Sequence, residues 1–358
     1  MKRVQRIVAL CCALCLAAAL CGCGSRAEKS SEPVGKSYFG FFDTVSFVYS
    51  YAGDSAEQFA DRSAEVSHIL EEYHQLFDIY HEYSGKNNLC TLNRNAGGEA
   101  LEIAPELMEF LLYCRQLYEL TGGEMNVMLG SVLHLWHDCR EEASADPTKA
   151  RLPEPQVLEE AARHCGIELL ELDEERGTAR ISDPQASIDV GAVGKGYATE
   201  MAARALEAEG VESYVLNIGG NIRILGSRPD GTGWVTGIRD PLQPNDGDFA
   251  LRLRLQDTAC VSSGAYERYY TVDGQRYHHI IDKDTLYPAA YYAAISVVTK
   301  DSGLADALST ALYCMPYEES CALAESLEGV EVLWIMPDGE QRWTPGLEEL
   351  IAPEEANH

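Results

Sequence analysis

The chain has 358 residues, 46% of them hydrophobic, and a formal net charge of -29 at pH 7. This length and apolar content are sufficient for a large core in one lobe or two. The excess of carboxylates excludes nucleic acid as a partner and opposes adsorption to an anionic bilayer, because phosphate groups attract Lys and Arg.

The N-terminus has the pattern of a bacterial lipoprotein signal. Three cations precede an apolar run over 7–20, which is too short for a comfortable membrane span. The run ends in Leu-Cys-Gly-Cys, which resembles a lipobox whose last residue is Cys23. We therefore predict a signal peptide over 1–22, lipid attachment at Cys23 and a polar tether over 23–37. The mature protein would be extracytoplasmic and anchored to a bacterial membrane; a plain signal peptide is the alternative.

Five of the twelve cysteines lie in this leader, and seven follow it. The seven are odd in number, scattered and without CxxC spacing: Cys90, Cys114, Cys139, Cys165, Cys260, Cys314 and Cys321. This pattern supports neither a disulfide framework nor a zinc site. We expect most of them to be small buried hydrophobic side chains.

The first half of the predicted catalytic domain, 38–352, begins with a strand and two helices. The stretch FFDTVSFVYSYAG over 41–53 reads as a strand, and 56–80 has the apolar spacing of an amphipathic helix. A second helix over 104–123 begins near Pro105 and stops at two glycines. Residues 140–165 are acidic and contain prolines, so we predict a surface excursion there.

From Gly166 onward short strands dominate. They are IELLEL, TARIS, SYVLNI, NIRILG, WVTGIR, FALRLRL, ACVSS, RYYTV, YHHII and YYAAISVVT. Two helices interrupt them, over 195–209 and roughly 302–313. Without an internal repeat or a mid-chain linker, this pattern predicts one α+β catalytic unit, in one lobe or two.

The glycine-rich stretch IDVGAVGKGYAT, which starts at residue 188, leads directly into one of these helices. Free N–H groups at a helix N-terminus attract anions. However, only two residues separate Gly191 from Gly194 where a Walker loop needs four, and Lys195 is followed by Gly196 instead of Ser or Thr. The dinucleotide pattern GxGxxG is also absent. On spacing alone, this turn is either an anion site or a tight connection.

Two further clusters contain chemically useful side chains. On the helix 302–313, Asp306 and Thr310 are four residues apart, so their oxygens lie on one face and suit Mg²⁺. Alternatively, Asp306 only interacts with the dipole near the helix N-terminus. In YHHIID, a strand would direct His278 and His279 to opposite faces, so one can be a general base while the other is exposed or structural.

Five motifs in this order resemble those of the ApbE family, over about Phe39 to Met336. They are Asp-x-Gly-Ala-x-Gly-Lys-Gly-Tyr-Ala from Asp189, Asn-Ile-Gly-Gly-Asn-Ile from Asn217, Gly-Ala-Tyr-Glu-Arg-Tyr from Gly264, His-His-Ile-Ile-Asp from His278 and Ala-Asp-Ala-Leu-Ser-Thr-Ala-Leu from Ala305. Members of that family are FAD:protein FMN transferases, often exported lipoproteins. The resemblance implies Mg²⁺-dependent cleavage of FAD, release of AMP and attachment of FMN through a phosphoester bond to Ser or Thr of an exported or membrane redox protein.

The resemblance also implies roles for individual residues. The metal ligands would be the main-chain carbonyl of Ala192, the side chains of Asp306 and Thr310, and in addition the carbonyl of Ser309. Contacts with FAD would come from Asp189, Lys195, Ile280 and the flavin-contacting Tyr80. His279 would be the base that activates the acceptor hydroxyl. Glu124, Met125 and Asn126 stand where the family usually has Ala-Phe-Asp at the flavin end.

The chain departs from the family pattern at three places. In the usual HIIDPRTG, Lys283 replaces the proline and Leu286 replaces the glycine, so the turn after His279 has a different chemistry. Residues 125–128, Met-Asn-Val-Met, replace Phe-Asp-Pro-Thr and remove an aromatic ring and a carboxylate from the flavin end. Asn221 replaces the aspartate of Gly-Gly-Asp.

Two other functions remain open from the sequence. The first is a Mg²⁺-dependent FAD pyrophosphatase that releases FMN to water. The second is a lipoprotein that binds FAD without catalysis. Analysis of the products formed with and without an acceptor protein distinguishes all three.

Overall fold

Strands and helices alternate along the chain in the computed structural model, which describes residues 33–243, 249–266 and 268–353. The strands are β1 (Val34–Phe39), β2 (Val45–Ser50), β3 (Leu101–Glu102), β4 (Leu170–Asp173), β5 (Thr178–Ile181), β6 (Tyr214–Ile218), β7 (Asn221–Leu225), β8 (Trp234–Arg239), β9 (Phe249–Leu255), β10 (Ala259–Gly264), β11 (Tyr269–Val272), β12 (Gln275–His278), β13 (Ala294–Thr299), β14 (Glu331–Ile335) and β15 (Gln341–Trp343). The α-helices are α1 (Ala56–Phe77), α2 (Leu89–Arg94), α3 (Pro105–Leu120), α4 (Gly130–Ala145), α5 (Pro155–Ala162), α6 (Gly194–Ala208), α7 (Ser302–Ala311) and α8 (Tyr317–Ser326). Short 3₁₀ segments occur at Phe41–Asp43, Pro147–Lys149, Ile167–Leu169, Leu312–Cys314 and Pro345–Leu350.

The main sheet has eight strands in the order β1-β2-β6-β7-β10-β13-β14-β15, and every neighbouring pair is antiparallel. Its central strand β13 is buried along its whole length, in agreement with its continuous apolar sequence AISVVT. Three smaller sheets pair β3-β5-β4, β8-β9 and β11-β12. The sheet and helices together confirm the α+β class that the sequence predicts.

Alternate side chains of the central strands enter two separate cores, as the two-residue period of a strand requires. Ile295 and Val297 of β13 pack with Ala305 and Leu308 of α7. Ala294 and Val298 pack in another cluster with side chains of the hairpin β8-β9. The main sheet therefore has α7 against one face and this hairpin against the other.

A third cluster joins α4 and α5 to the hairpin β11-β12. Trp136 of α4 is buried there, and its indole N–H donates to the carbonyl of Leu286 at 2.9 Å. The cluster includes Leu158 and Cys165, so residues 140–165 are not the surface excursion that we predict from their acidity. The reason is that the apolar face of α5 packs inward while its acidic residues remain outside.

Several predicted boundaries shift in the structure. Strand β1 starts at Val34, so the last four residues of the predicted tether, 34–37, pair with β2 in the main sheet. The predicted strand over 41–53 begins with a 3₁₀ turn and becomes β2 only at Val45. Strand β12 ends at His278, so His279 lies just beyond it. The predicted signal peptide over 1–22 and the lipidation site Cys23 lie outside the described residues.

The seven cysteines after the leader are all free thiols. Six are buried and Cys321 is half-buried, which confirms their behaviour as small apolar side chains. Burial raises the pKa of Cys165 to about 11 and that of Cys260 to about 12. In the described part of the chain, no helix has the length and apolar character needed to cross a membrane.

Candidate functional site

The glycine turn and the helix α7 meet at the carboxylate of Asp306. The N–H of Gly196, in the first turn of α6, donates to Oδ2 of Asp306 at 2.8 Å. Nζ of Lys195 lies 3.6 Å from the same oxygen and donates to the carbonyl of Gly191 at 3.2 Å. The structure therefore brings together two motifs that are 110 residues apart in the sequence.

This meeting depends on the absence of a side chain at Gly196. A Cβ atom there would lie 2.4 Å from Cβ of Asp306 and 2.4 Å from the carbonyl oxygen of Ser302. The Gly196 N–H bonds the carboxylate, and the N–H of the next residue, Tyr197, donates to the carbonyl of Val193. Ala192 lies in the turn directly before Val193, the N-cap residue of α6.

A buried ion pair supports the start of α7. Oε2 of Glu200 accepts the N–H of Ser302 at 2.9 Å and lies 3.3 Å from Nε of Arg223. The side chains of Glu200 and Arg223 are 6% and 1% exposed. Because Glu200 belongs to α6, this contact fixes the two helices at a second point, about one turn from Asp306. Sequence reasoning missed the pair, although a Glu one turn after GKG in an otherwise buried helix was a visible signal.

The carboxylate of Asp306 is almost completely buried, with 6% of its side chain exposed. Burial raises its pKa, and the charge of Lys195 and the Gly196 N–H oppose this rise. The hydroxyl of Ser309 donates to the main-chain carbonyl of Asp306 at 2.8 Å and lies 2.8 Å from the hydroxyl of Ser263 in β10. Thr310, one turn after Asp306, is half-buried at the same helix face.

The oxygen atoms at this position suit a hard divalent cation. The predicted ligands offer the carboxylate of Asp306, the hydroxyl of Thr310 and the main-chain carbonyls of Ala192 and Ser309, which are the donor types that Mg²⁺ prefers. Within the described residues, no group of three or more His, Cys, Asp or Glu side chains could hold a metal ion. A cation held by the carboxylate of Asp306 would therefore need further oxygen ligands, from main-chain carbonyls, water or phosphate.

Asp189 connects the glycine turn to the segment 124–128. Its N–H donates to the carbonyl of Val127 at 2.8 Å, and its Oδ1 accepts the N–H of Gly191 at 2.8 Å. The side chain of Asn126 donates to the carbonyl of Cys165 and accepts the N–H of Met128. Met125 is 2% exposed and packs in the core, so its side chain is not available to a ligand in this structure.

His279 lies in the connection after β12, where its ring is oriented by the main chain. Its Nδ1 is 3.2 Å from the carbonyl of Arg268, and its own N–H donates to that carbonyl at 3.1 Å. A proton on Nδ1 satisfies the first contact and leaves the lone pair on Nε2. Burial, and then the positive charge of Arg268, lower the pKa of His279 to about 3, so the imidazole is neutral at working pH.

The two neighbours of His279, His278 and Ile280, make hydrogen bonds within the protein. Nε2 of His278 lies 2.8 Å from the carbonyl of Ala289, and its Nδ1 accepts the N–H of Ile280 at 3.2 Å. His278 is thus half-buried and bonded, which agrees with the structural alternative for the second histidine and not with the exposed one. Ile280 is 4% exposed, and its carbonyl accepts the N–H of Ala289.

Tyr80 is the most open of the predicted site residues, with 47% of its surface exposed. Its N–H donates to Oδ1 of Asp78 at 2.7 Å, which fixes the loop after α1. Besides partial burial, the carboxylate of Asp189 raises the pKa of Tyr80, so the two residues are within electrostatic range. Its ring centroid lies 5.5 Å from that of His137.

Sequence reasoning missed two residues of α4 that adjoin this group. Arg140 donates to Nδ1 of His137 at 2.8 Å; its guanidinium charge opposes the rise in the pKa of Tyr80 and adds to the lowering of the pKa of His279. The side chain of Arg140 is 18% exposed. The apolar spacing of SVLHLWHDCR was the available signal, because it predicts a helix that places residues three apart on one face.

Comparison with known structures identifies the fold. A flavin transferase from Vibrio cholerae superposes with a TM-score of 0.73 at 26% identity, over 89% of this chain and 99% of that one. The ApbE protein from Thermotoga maritima superposes with a TM-score of 0.78 at 24% identity, over 90% of this chain and all of that one. The fold is therefore that of the solved flavin transferases.

Comparison of sequences gives the family. The model of the ApbE family matches residues 43–334. The FAD:protein FMN transferase of Treponema pallidum is 30% identical over 356 residues, which cover 96% of this chain and 94% of the relative. That of Haemophilus influenzae is 27% identical over 328 residues, 90% of each chain. The chain belongs to the ApbE family.

Proposed function

We propose that the chain is an FAD:protein FMN transferase that requires Mg²⁺. The observation that carries this proposal is the buried carboxylate of Asp306, held by the Gly196 N–H and by Lys195 at the glycine turn. A buried carboxylate beside a helix N-terminus and a lysine suits a phosphate ester bound together with a cation. Relatives that span nearly the whole chain and bear this enzyme's name support the same function.

In the proposed reaction, FAD is the substrate and its pyrophosphate lies at the glycine turn. The hydroxyl oxygen of a Ser or Thr of the acceptor attacks the FMN phosphorus, the bond from this phosphorus to the AMP oxygen breaks, and AMP leaves. Lys195 would neutralise part of the charge on the phosphates, and Tyr80 together with the main chain of the segment 124–126 would contact the flavin end. Asp189 would orient the turn through its bond to Gly191.

His279 would take the proton of the attacking hydroxyl. Its Nδ1 contact with the carbonyl of Arg268 orients the ring so that Nε2 is the accepting atom. A pKa of about 3 ensures that the base is unprotonated before FAD binds, but it also makes the base weak. The negative phosphates of bound FAD would raise this pKa toward the working range.

A bound Mg²⁺ would supply charge neutralisation on the phosphate oxygens as the leaving group departs. Asp306 and Thr310 would hold it by their side chains, and Ala192 and Ser309 by their carbonyls. The acceptor is proposed to be an exported or membrane redox protein, and lipid attachment at Cys23 would keep the enzyme at the membrane where it meets this acceptor. The leader sequence supports this location.

The test uses the full chain in detergent with FAD and Mg²⁺, with and without an acceptor that contains Ser and Thr. AMP is measured by chromatography and the mass of the acceptor by mass spectrometry. We expect AMP together with acceptor that carries covalent FMN. Free FMN with AMP would indicate the pyrophosphatase instead, and tight FAD binding without AMP would indicate a binding protein.

The variant Asp306→Asn is the decisive companion. Its amide oxygen can still accept the Gly196 N–H, so the fold is preserved while the charge is lost. We expect turnover to fall by about 10³-fold, because the charge that holds the cation is removed. Asp138→Asn, at a carboxylate that is 51% exposed on α4, is the matched control and should retain turnover.

A further inference from the structure

An ion pair joins two of the segments in which the chain departs from its family, the segment that begins at Glu124 and the turn that contains Lys283. Nζ of Lys283 lies 3.1 Å from Oε1 of Glu124 and 2.8 Å from Oδ2 of Asp284. The side chains of Lys283 and Glu124 are 26% and 14% exposed, whereas that of Asp284 is 75% exposed. The contact with Glu124 is therefore the partly desolvated one, where charge pairing has more effect than at the surface.

Glu124 begins the segment 124–126 at the flavin end of the proposed site. The N–H of Met125 donates to the hydroxyl of Thr121 at 2.9 Å, so this segment is attached to the end of α3. Two residues later the carbonyl of Val127 accepts the N–H of Asp189. A displacement of Glu124 would therefore be transmitted toward the glycine turn.

Lys283 lies four residues after His279, in a turn with a defined shape. The carboxylate of Asp282 accepts the N–H groups of Asp284 and Thr285 at 2.8 and 3.1 Å. Leu286 has a φ of +64°, a left-handed conformation that favours glycine. Trp136 holds the carbonyl of Leu286 from α4. The hydrogen bonds from Asp284 and Thr285 to the Asp282 carboxylate thus stabilise the middle of the turn, and the bond from Trp136 stabilises its end. The contact of Lys283 with Glu124 stabilises its beginning.

The residue types at positions 124 and 283 explain why an ion pair between side chains can stabilise this turn. The family pattern has proline at 283, which fixes φ by its ring, and alanine at 124. This chain has a lysine and a glutamate instead, and they contact each other. Burial raises the pKa of Glu124, and the contact with Lys283 opposes part of this rise.

We propose that the Glu124–Lys283 pair is a positioning device that sets the place of His279 relative to the flavin-side segment 124–126. This inference rests on the proposed function. The pair does not contact the reacting atoms in this view; it replaces a rigid proline by a charge contact between two loops. Its loss would leave FAD bound but the base misaligned with the phosphate, so the rate would suffer more than affinity.

The experiment compares Lys283→Met, Glu124→Gln and the charge exchange Glu124→Lys with Lys283→Glu, all in the full chain. AMP release gives kcat and KM for FAD, and flavin fluorescence gives the Kd of FAD. For each single variant we expect kcat to fall by roughly 10- to 100-fold, the effect of a misplacement of about 1 Å, with a Kd within about threefold of the parent. The exchanged pair should recover most of kcat.

The control is Arg163→Met, which removes a pair of similar length with Glu160, at 2.9 Å, between side chains that are 71% and 55% exposed. It should leave kcat unchanged. Unchanged kcat in both single variants, or an exchanged pair no better than the single variants, would overturn the positioning role.

A second readout separates this inference from the proposed function. Amide hydrogen exchange over 278–288 and 124–128 reports the attachment of the two loops without any turnover. We expect faster exchange in both segments of Lys283→Met and recovery in the exchanged pair. If the parent released no AMP, the transferase proposal would fail while this readout still decided whether the pair joins the loops. Unaltered exchange would refute the pair's role.

Discussion

At the glycine-turn end of the site, helices α6 and α7 meet with no side chain between Gly196 and Asp306, whereas at the base-bearing end two loops meet through charged side chains. The first contact is a main-chain N–H to a carboxylate with 6% exposure. The second is the Glu124–Lys283 pair, which water reaches in part. The first end keeps the family pattern without change, and the second contains most of the departures from it.

The difference follows from the geometry that each end requires. A Cβ at Gly196 would overlap main-chain and Cβ atoms that belong to a packed helix and cannot move aside. Two loops can be held at the same distance from each other in several alternative ways, such as a rigid proline, a capping hydrogen bond or an ion pair. We therefore expect substitutions to be severe at the first end and graded at the second, and three variants test this expectation.

The largest effect is expected for Gly196→Ala. The new Cβ would lie 2.4 Å from the carbonyl oxygen of Ser302, so α6 and α7 must separate. We expect a loss of about 3 kcal/mol in the free energy of unfolding, at the upper end of overpacking costs, and no measurable AMP release. Urea unfolding and the AMP assay measure the two results.

Its control is Gly191→Ala in the same turn, where a Cβ would meet only Oδ1 of Asp189, at 3.1 Å. This variant should remain within about 1 kcal/mol of the parent. Equal stability of the two alanine variants would contradict the close approach of the helices.

An intermediate effect is expected for His279→Asn. Loss of a general base lowers the rate by about 10²- to 10⁴-fold, so AMP release should fall by that factor with FAD binding retained.

The same variant should also change how the free energy of unfolding depends on pH. In the parent, the folded pKa of about 3 lies below the ordinary value, so the unfolded chain binds more protons as the pH falls below about 6.5.

The parent should therefore lose stability between pH 7.5 and pH 5 more steeply than His279→Asn does. After allowance for partial exposure, we expect a difference of about 1 kcal/mol between them over this range. Urea unfolding at both pH values measures it. Parallel pH profiles for the two proteins would mean that His279 is solvated in the native state.

The smallest effect is expected for Leu286→Gly, at the position where the family has glycine. Relief of the positive φ of +64° should offset the lost apolar contacts and the greater freedom of glycine in the unfolded chain. We expect the free energy of unfolding to stay within about 1 kcal/mol of the parent. A loss above about 3 kcal/mol, the cost of a large core truncation, would show that packing of Leu286 dominates the turn.

Much of the fold was predictable because its signals are local. Apolar periodicity located α1 and α3, and the continuous apolar run of β13 marked a buried strand. Residues 140–165 were misjudged because net acidity hid a short amphipathic helix whose single buried residue, Leu158, is a weak signal. The end of β12 at His278 was missed because the apolar pair Ile280-Ile281 continues the strand pattern beyond the last paired residue.

The functional site was likewise predictable only in part from the sequence. Spacing on one helix paired Asp306 with Thr310, and the family motifs brought in His279 and Asp189. The pairings Glu200–Arg223 and Glu124–Lys283 were not predictable, since each depends on which side chains meet in three dimensions, whereas His137 and Arg140 are three residues apart on one helix. Pairs separated by 23 or more residues leave no periodic trace in one sequence.

The position of β1 has a mechanical consequence if the chain is held at the membrane through its N-terminus. Val34 begins an edge strand whose register pairs run from Val34 with Ser50 to Phe39 with Val45. A force that pulls on the N-terminus would break the hydrogen bonds of these pairs one after another, starting at Val34, and not all at once. Because β2 is also paired with β6, detachment would stop there. Tension from the anchor would thus detach the six residues of β1 before it acted on the helices that hold Asp306.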